Sequence, residues 1–527
     1  MPRPIVPTVV GDAFVAARRP LTTDEERALE KFGRTARDRL EPTGYRIDRA
    51  SPPRLVAEGT PNDAAPRSVV LAPEHSKALD ELYATGMGVG PAGGRIDWPF
   101  TFALMHEVAD VGLLCSVTVT LATVHSLEKW ADGPTRARFL PALLKNGGRA
   151  QGATWATERQ GGSDLGSNAA VARPAAEGAW SLTGEKFFCS NVGAAYAVVT
   201  ARPPGAADGV RGLRLFFVPA VTAAGTPNWR VRRLKEKLGT IPVPTGEVEF
   251  EGAEAYALGT PEAGPSPILE MLNLSRIANA VGSASVLYRA FERAEEYALE
   301  RTAFGRPLAE HPLLALDLAT LAVESDAASL LAFDAAFRFA RTARERPPYS
   351  PEAQLTRFSA HVAKLVTAEL AVRGTTRAME LLGGIGYLEE HPMARLVRDA
   401  HVTTIWEGGA NVQALDAREA IDRHHPEARW ASDAGRTAAD AASIEVRRFL
   451  STRLEELAGE RGEVDAKRTL EAWGEVRALT LLAERRLASR NPPRCAARAE
   501  LYARLHNGRS AATIPLDLVR RALAPPW

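Results

Sequence analysis

Gly152-Ala153-Thr154-Trp155-Ala156-Thr157-Glu158-Arg159-Gln160-Gly161-Gly162-Ser163-Asp164 is where the texture of this 527-residue sequence changes. Upstream, from Thr22 to about Lys145, apolar residues recur at helical steps; Leu113, Leu114, Val117, Leu121 and Val124 follow one another at such intervals. That stretch is apolar on nearly all sides, which predicts a deeply buried helix. Downstream, residues 180–183, 195–201, 213–219 and 248–250 are short, β-prone and separated by Gly and Pro, the pattern of a small antiparallel β domain.

Helical spacing returns after the loop at 260–267. Met271, Leu274, Val281, Leu287, Phe291 and Tyr297 fall roughly on one face of a long helix, and further helical stretches cover about 313–344, 353–382 and 410–422. A fourth helical segment begins near Trp430, and no repeat of 20–50 residues is present. The order predicts an α+β, mainly α chain in four parts. These are an N-terminal arm and helical domain (1–150), a β domain (151–262), a helical bundle (263–428) and an additional Arg-rich helical domain (429–527). It is not a Rossmann alternation.

Sixty-five basic residues against 64 acidic ones exclude a globally basic nucleic-acid coat, though not a local patch. Cys115, Cys189 and Cys495 are far apart, so neither a disulfide framework nor a CxxC metal or redox motif is available. Proline and charge interrupt the proline-rich first twenty residues, which argues against a secretory signal. The most membrane-like run, 111–124, is short of the roughly 20 residues a span needs. The expectation is a soluble, cytoplasmic protein with no membrane partner. His424-His425 has no acidic or Cys neighbour at ligand spacing, so no metal site is expected, and no HExxH, GxSxG or P-loop pattern occurs.

Four segments carry candidate chemistry. In Thr157–Asp164, Gly161 and Gly162 allow close backbone approach while Thr157 and Ser163 offer small donors, suited to the polar edge of a heterocycle; a plain tight turn is the alternative. Lys186-Phe187-Phe188-Cys189-Ser190-Asn191 is either sheet core or an aromatic wall for a flat ring, with Ser190 as hydrogen-bond partner. In Arg301-Thr302-Ala303-Phe304-Gly305-Arg306-Pro307 the arginines offer rigid forks to phosphate, or simply end a helix. The fourth segment runs from Glu380 to Gly386, then to Ile405-Trp406-Glu407-Gly408-Gly409-Ala410-Asn411. There a carboxylate beside Trp406 would be shielded, raising its pKa towards that of a general base, or is simply an acid at a helix start.

Together and in this order, TERQGGSD, KFFCSN, RLKEKLG (Arg233 to Gly239), YALERTAFGRP, LLGGIGYLEEHP, LVRDA and IWEGGANVQ resemble the acyl-CoA dehydrogenase family of flavoproteins over about residues 100–425. MLNLSR (Met271 to Arg276), EVEF (Glu247 to Phe250) and the added C-terminal segment resemble its AidB-like branch of DNA alkylation-response flavoproteins. The resemblance implies FAD and a homotetramer built as a dimer of dimers. It assigns Thr157, Gly162 and Ser163 to the isoalloxazine edge and Phe188, Cys189 and Ser190 to a flavin face. Arg301, Phe304, Glu380, Gly383 and Gly384 would reach a neighbouring subunit's FAD, and Trp406, Gly408 and Asn411 the flavin or its ADP end. Ser163, Asn273 and Arg276 would meet the substrate, an acyl-CoA thioester. Glu407 would take the α-proton while the β-hydrogen leaves as hydride, and an electron-transfer flavoprotein would accept the electrons. Oxygen, as in an acyl-CoA oxidase, is the variant.

The sequence departs from the family at Ala303, at Glu380 where a Gln is usual, at Gly409 where a Thr is usual, and at Asn273 where an acid is usual. From Arg477 to Arg521 there are ten arginines and three acids, which together with the AidB-like resemblance raises double-stranded DNA binding through 430–527 as the alternative function. The 56 arginines against nine lysines in the whole chain make Arg enrichment general.

Overall fold

The computed structural model describes residues 8–57, 67–147, 149–459, 462–507 and 514–524, so the first seven residues of the proline-rich arm and Arg509 of the basic run lie outside the description. The chain is mainly helical and contains one seven-stranded sheet, an α+β architecture. It divides into two compact units: Arg37–Leu104 with Asp110–Ser275, and the residues up to Ala36 with Met105–Ala109 and Arg276–Trp527.

The first unit holds β1 (Arg54–Ala57) and β2 (Arg67–Val70), an antiparallel pair. The sheet is built from β3 (Thr154–Trp155), β4 (Val171–Pro174), β5 (Trp180–Ser190), β6 (Tyr196–Ala201), β7 (Arg214–Pro219), β8 (Arg230–Leu234) and β9 (Thr245–Leu258). Its order is β3-β6-β7-β9-β5-β4, with β8 also on β9. The expected antiparallel pattern has one exception, because β3 pairs with β6 in parallel. Residues 156–195 loop away through β4 and β5 before the chain returns, so β3 meets β6 by a crossover rather than a hairpin. Trp155, Leu182, Cys189, Val248 and Phe250 fill the sheet's core. The β1–β2 pair was hidden from a reading of helical spacing because each strand is only four residues long.

The apolar run at 111–124 is part of a longer helix, Val111–Trp130, of 20 residues. The Asp110 side chain caps it by accepting from the Leu113 N–H at 3.0 Å, a contact that contributes roughly 1 kcal/mol. It is long and apolar enough to cross a membrane, but 89% of its apolar window is buried within the protein, as in a core helix.

In the second unit the helices Pro312–Thr342 and Pro351–Leu382 pack closely on each other, beside the part of Ser266–Glu300 that follows Ser275. Ser350 starts the second of these by accepting from Ala353 N–H at 3.2 Å, and Gly383, at φ +64°, ends it. Five C-terminal helices from Glu427 onward join the same unit, with the Trp430 ring 5.0 Å from that of Phe358. Arginines tie them down. Arg477 grips Asp334 with Nη2 at 2.6 Å and Nε at 3.2 Å, while Arg485 reaches Asp12 at 2.7 Å and shares Asp326 with Arg498.

Candidate active site

In the first unit the Thr157–Asp164 loop is held from below. Glu158 and Gly161 exchange backbone hydrogen bonds of 3.0 and 3.2 Å, which closes a tight turn. A Cβ on Gly161 would lie 2.5 Å from Ser167 Oγ, so only glycine fits there. The buried Glu158 carboxylate accepts from Lys186 Nζ at 2.7 Å, from the N–H groups of Ala169 and Ala170 at 2.6 and 3.1 Å, and from Gln160 Nε2 at 2.7 Å. Lys186 also donates to Ala156 O and Thr200 Oγ1. Burial pushes the Glu158 carboxyl up, but the Lys186 ammonium and these donors outweigh it and hold it below the ordinary range. Gly162 and Ser163 are exposed above this base and Thr157 is half-buried.

The loop is tied to β5 by the Phe187 N–H, which donates to Thr157 O at 2.9 Å. Strand alternation then sorts the three residues grouped in the sequence. Phe188 is 54% exposed and Ser190 half-exposed, whereas Cys189 turns inward and is fully buried in the sheet core. Of the three residues expected along a flavin face, Cys189 therefore has its side chain in the sheet core and its backbone between the two outward-facing neighbours. An exposed aromatic ring beside small donors and a glycine-rich turn fits the edge and face of an isoalloxazine.

In the second unit the helix Pro392–Thr403 runs into a turn that carries Trp406, Glu407 and Gly408. Glu407 sits at φ +58° and Gly408 at φ +97°, a left-handed pair that costs of order 1–3 kcal/mol at a non-glycine residue unless the surroundings enforce it. They do. Glu407 O accepts from Arg276 Nε at 3.1 Å and Gln413 Nε2 at 2.8 Å. Gly408 O accepts from Gln413 Nε2 at 3.0 Å and Lys364 Nζ at 2.6 Å. Trp406 Nε1 donates to Asn279 Oδ1, whose amide in turn donates to Thr403 O at 3.1 Å. Gln413 is oriented by His361 Nδ1 at 2.8 Å.

Those bonds clamp the backbone and leave the acid's own groups uncommitted. Among the described residues the Glu407 carboxyl makes no hydrogen bond, and no backbone carbonyl accepts from its N–H. Burial pushes the carboxyl up to about 7, against the opposing charges of Arg276 and Lys364. Burial likewise lowers Lys364 to about 8. Arg276, expected at the substrate, is buried, with Nε on Glu407 O and Nη2 3.3 Å from Asp416. It positions the turn from beneath.

Phe304, at φ +49° on a two-residue β-ribbon, is 97% exposed, and Arg301 is exposed beside it. Glu380, Gly383 and Gly384 are exposed at the end of Pro351–Leu382, and Asn411 is exposed on the first turn of Ala410–His424. Asn273 is half-buried and belongs to the first unit.

Two family models match the chain: the acyl-CoA dehydrogenase middle domain over residues 153–253 and the acyl-CoA dehydrogenase C-terminal domain over 262–421. The putative acyl-CoA dehydrogenase AidB of Escherichia coli is 34% identical over 61% of this chain, a match that spans 59% of AidB. An acyl-CoA dehydrogenase of Bacillus subtilis is 31% identical over 59% of this chain and 79% of its own length. The chain belongs to the acyl-CoA dehydrogenase family. The solved structure of Caenorhabditis elegans ACDH-11 in complex with C11-CoA shares the fold, with a TM-score of 0.84 over 98% of this chain and 94% of that one at 23% identity.

Within this acyl-CoA dehydrogenase fold, the supporting residues are the ones that motif reading missed. Lys364 and His361 lie on an otherwise apolar helical stretch, and Glu158 and Lys186 lie inside the quoted motifs but were passed over for their exposed neighbours. The signal was available: a lone charge on a buried face needs a partner.

Proposed function

We propose that this chain is an FAD-dependent acyl-CoA dehydrogenase in which Glu407 removes the α-proton of an acyl-CoA thioester. The observation that carries this is the Glu407 turn, clamped through its carbonyls, with a carboxyl near pKa 7 and an uncommitted N–H. A carboxylate with that pKa is matched to proton abstraction at neutral pH. The N–H of the same residue is a donor for the thioester oxygen as negative charge develops on it.

Thr157, Gly162, Ser163, Phe188 and Ser190, with the backbone at Cys189, would hold the isoalloxazine, and Trp406, Gly408 and Asn411 would border it. FAD, when bound, supplies the acceptor for the β-hydrogen as hydride. The exposed Phe304, with Arg301, Glu380, Gly383 and Gly384, supports contact with the FAD of a second copy; the chain would act as the homotetramer that the family resemblance implies, in the cytoplasm. Electrons would pass on to an electron-transfer flavoprotein or to oxygen. Asn273, in place of the usual acid, favours a substrate other than a simple straight-chain thioester.

The alternative is an AidB-like flavoprotein that binds double-stranded DNA through 430–527. It rests on similarity to AidB and on the arginine run. Arg477, Arg485 and Arg498 of that run are buried in ion pairs, and Arg504 pairs with Glu500 at 3.0 Å, so several of its charges serve packing. Dehydrogenation is the reading that uses the clamped acid.

Anaerobic titration of the flavin-loaded protein with short, branched and long acyl-CoAs tests it. Bleaching of the flavin by one class, absent in Glu407→Gln although flavin remains bound, is the expected result. A flavin untouched by every thioester would overturn it.

A further inference from the structure

Two cations and one neutral amide hold the carbonyls of Glu407 and Gly408. The nitrogens of Arg276 and Lys364 carry only donors, so neither head group can present the wrong atom. Gln413 differs. Among the described residues it alone serves both carbonyls, with Nε2 at 2.8 Å from Glu407 O and 3.0 Å from Gly408 O. A primary amide has a donor end and an acceptor end. Reversed about its last torsion, Gln413 would turn Oε1 to those two oxygens, and three acceptors would meet with no hydrogen between them.

What fixes the orientation comes from another helix. His361 and Lys364 are three residues apart on Pro351–Leu382 and so share a face of it. Gln413, in the first turn of Ala410–His424, meets that face, and His361 Nδ1 lies 2.8 Å from its Oε1. Since Gln413 Nε2 is committed as the donor, Oε1 accepts, and Nδ1 of His361 must carry the hydrogen. The other ring nitrogen agrees. His361 Nε2 is buried with no hydrogen-bond partner among the described residues, where a bare lone pair costs less than the unpaired N–H of a cation. Burial and the cations of Arg276 and Arg357 keep the imidazole neutral. Both side chains are fully buried, so bulk water does not share either bond.

We propose that His361 is a positioning residue for the proton abstraction, its Nδ1–H locking the Gln413 amide with Nε2 on the two carbonyls. The role rests on the reading of Glu407 as the base. His361 makes no hydrogen bond to Glu407 among the described residues and takes no proton in the reaction. It acts through Gln413, which fixes the peptide between Glu407 and Gly408 and with it the angle at which the acid leaves the chain. Without the His361 donor the amide is free to reverse, and the base is misplaced in part of the molecules. That costs rate rather than substrate affinity.

Anaerobic stopped-flow reduction of the flavin-loaded full chain by butanoyl-, 2-methylpropanoyl- and hexadecanoyl-CoA tests this, with variants compared on the thioester that reduces the parent fastest. His361→Leu should slow the limiting rate by about tenfold or more while half-saturation changes by less than about threefold. His361→Phe, closer in shape, should do the same and serves if His361→Leu does not fold. His361→Asn places an amide N–H where Nδ1 stood, so its rate should stay within about threefold of the parent even if its added buried carbonyl lowers the Tm. Gln413→Met should be at least as slow as His361→Leu, and adding His361→Leu to it should cost less than about twofold more, because the amide is already gone. A parent-like rate without the His361 donor, equal slowing by His361→Asn, or multiplying losses in the double variant would each overturn the role while leaving Glu407 as the base. A parent that no thioester reduces would instead overturn the dehydrogenase reading, and this role with it.

Discussion

Arg276 holds Glu407 through its backbone: Nε donates to the Glu407 carbonyl at 3.1 Å, and Nη2 turns 3.3 Å away to Asp416. A buried guanidinium thus fixes where an acid points while leaving its carboxyl unbonded. Arg276→Lys keeps the charge but loses the fork that serves both partners. The expected outcome is a kcat reduced by about tenfold to a hundredfold, since small misplacements of a reacting group cost that much, with KM changed far less. Steady-state kinetics of the flavin-loaded protein measure the split.

The pH dependence follows from the raised carboxyl. With Glu407 at about 7, kcat/KM should fall tenfold per unit as pH drops below that value. Lys364 lowers the Glu407 pKa through its charge, so Lys364→Met should move this limb upward. For stability the sign is the reverse of an ordinary ion-paired acid. A carboxyl raised from 4.5 in the unfolded chain to about 7 in the fold favours the folded state below 4.5, and that contribution is lost as pH rises from 4.5 to about 7. At pH 8 Glu407→Gln should therefore be the more stable protein, by up to about 3.4 kcal/mol at 1.36 kcal/mol for each pH unit between 4.5 and about 7. A limb that stays near pH 4–5, or no gain in urea unfolding at pH 8, would contradict the account.

Glu158 and Lys186 form a fully enclosed pair beneath the Thr157–Asp164 loop, 2.7 Å apart. Removing one partner strands the other. Lys186→Met should destabilise the protein by about 3–5 kcal/mol and weaken flavin retention, while Lys186→Met with Glu158→Gln should recover part of the stability. Denaturant melts and flavin release together separate this from a purely local effect on the loop. If the single and double variants melt alike, the pair does not support the loop.

How much of this was legible follows from which physical signal each part leaves. The helices at 312–342 and 351–382 and the strands at 196–201 and 214–219 announce themselves through apolar spacing and Gly/Pro punctuation, and all fall close to the expected spans. Glu407 was legible from its Trp and Gly neighbours in a motif. The inward turn of Cys189 follows from strand alternation, but only once the register of β5 against β9 is fixed; that register carries bulges no spacing rule reveals. The roles of Lys364, Gln413 and Arg276 depend on three helices converging from more than a hundred residues of sequence, which periodicity cannot locate. The arginine run is only partly legible for a related reason: charge counts do not tell that Arg485 and Arg498 close on a buried Asp326.

The two glycines after Glu407 make opposite demands, although the sequence presents them as equivalents. Gly408 has φ +97°, and a Cβ there would lie 2.8 Å from Gln413 Nε2, the amide that bonds both turn carbonyls. Gly408→Ala should cost at least 1–2 kcal/mol in strain and displaced contacts, with a loss of activity to match. Gly409 has φ −65° and only Thr404 O, at 4.0 Å, near its Cβ position; it begins Ala410–His424 without a side-chain cap. Gly409→Thr would place a hydroxyl where the helix N-terminus has free N–H groups, for a gain of a few tenths of a kcal/mol. Paired melts of Gly408→Ala and Gly409→Thr should therefore move in opposite directions. A Gly408→Ala protein that melts with the parent would mean that the left-handed turn is not what holds Glu407.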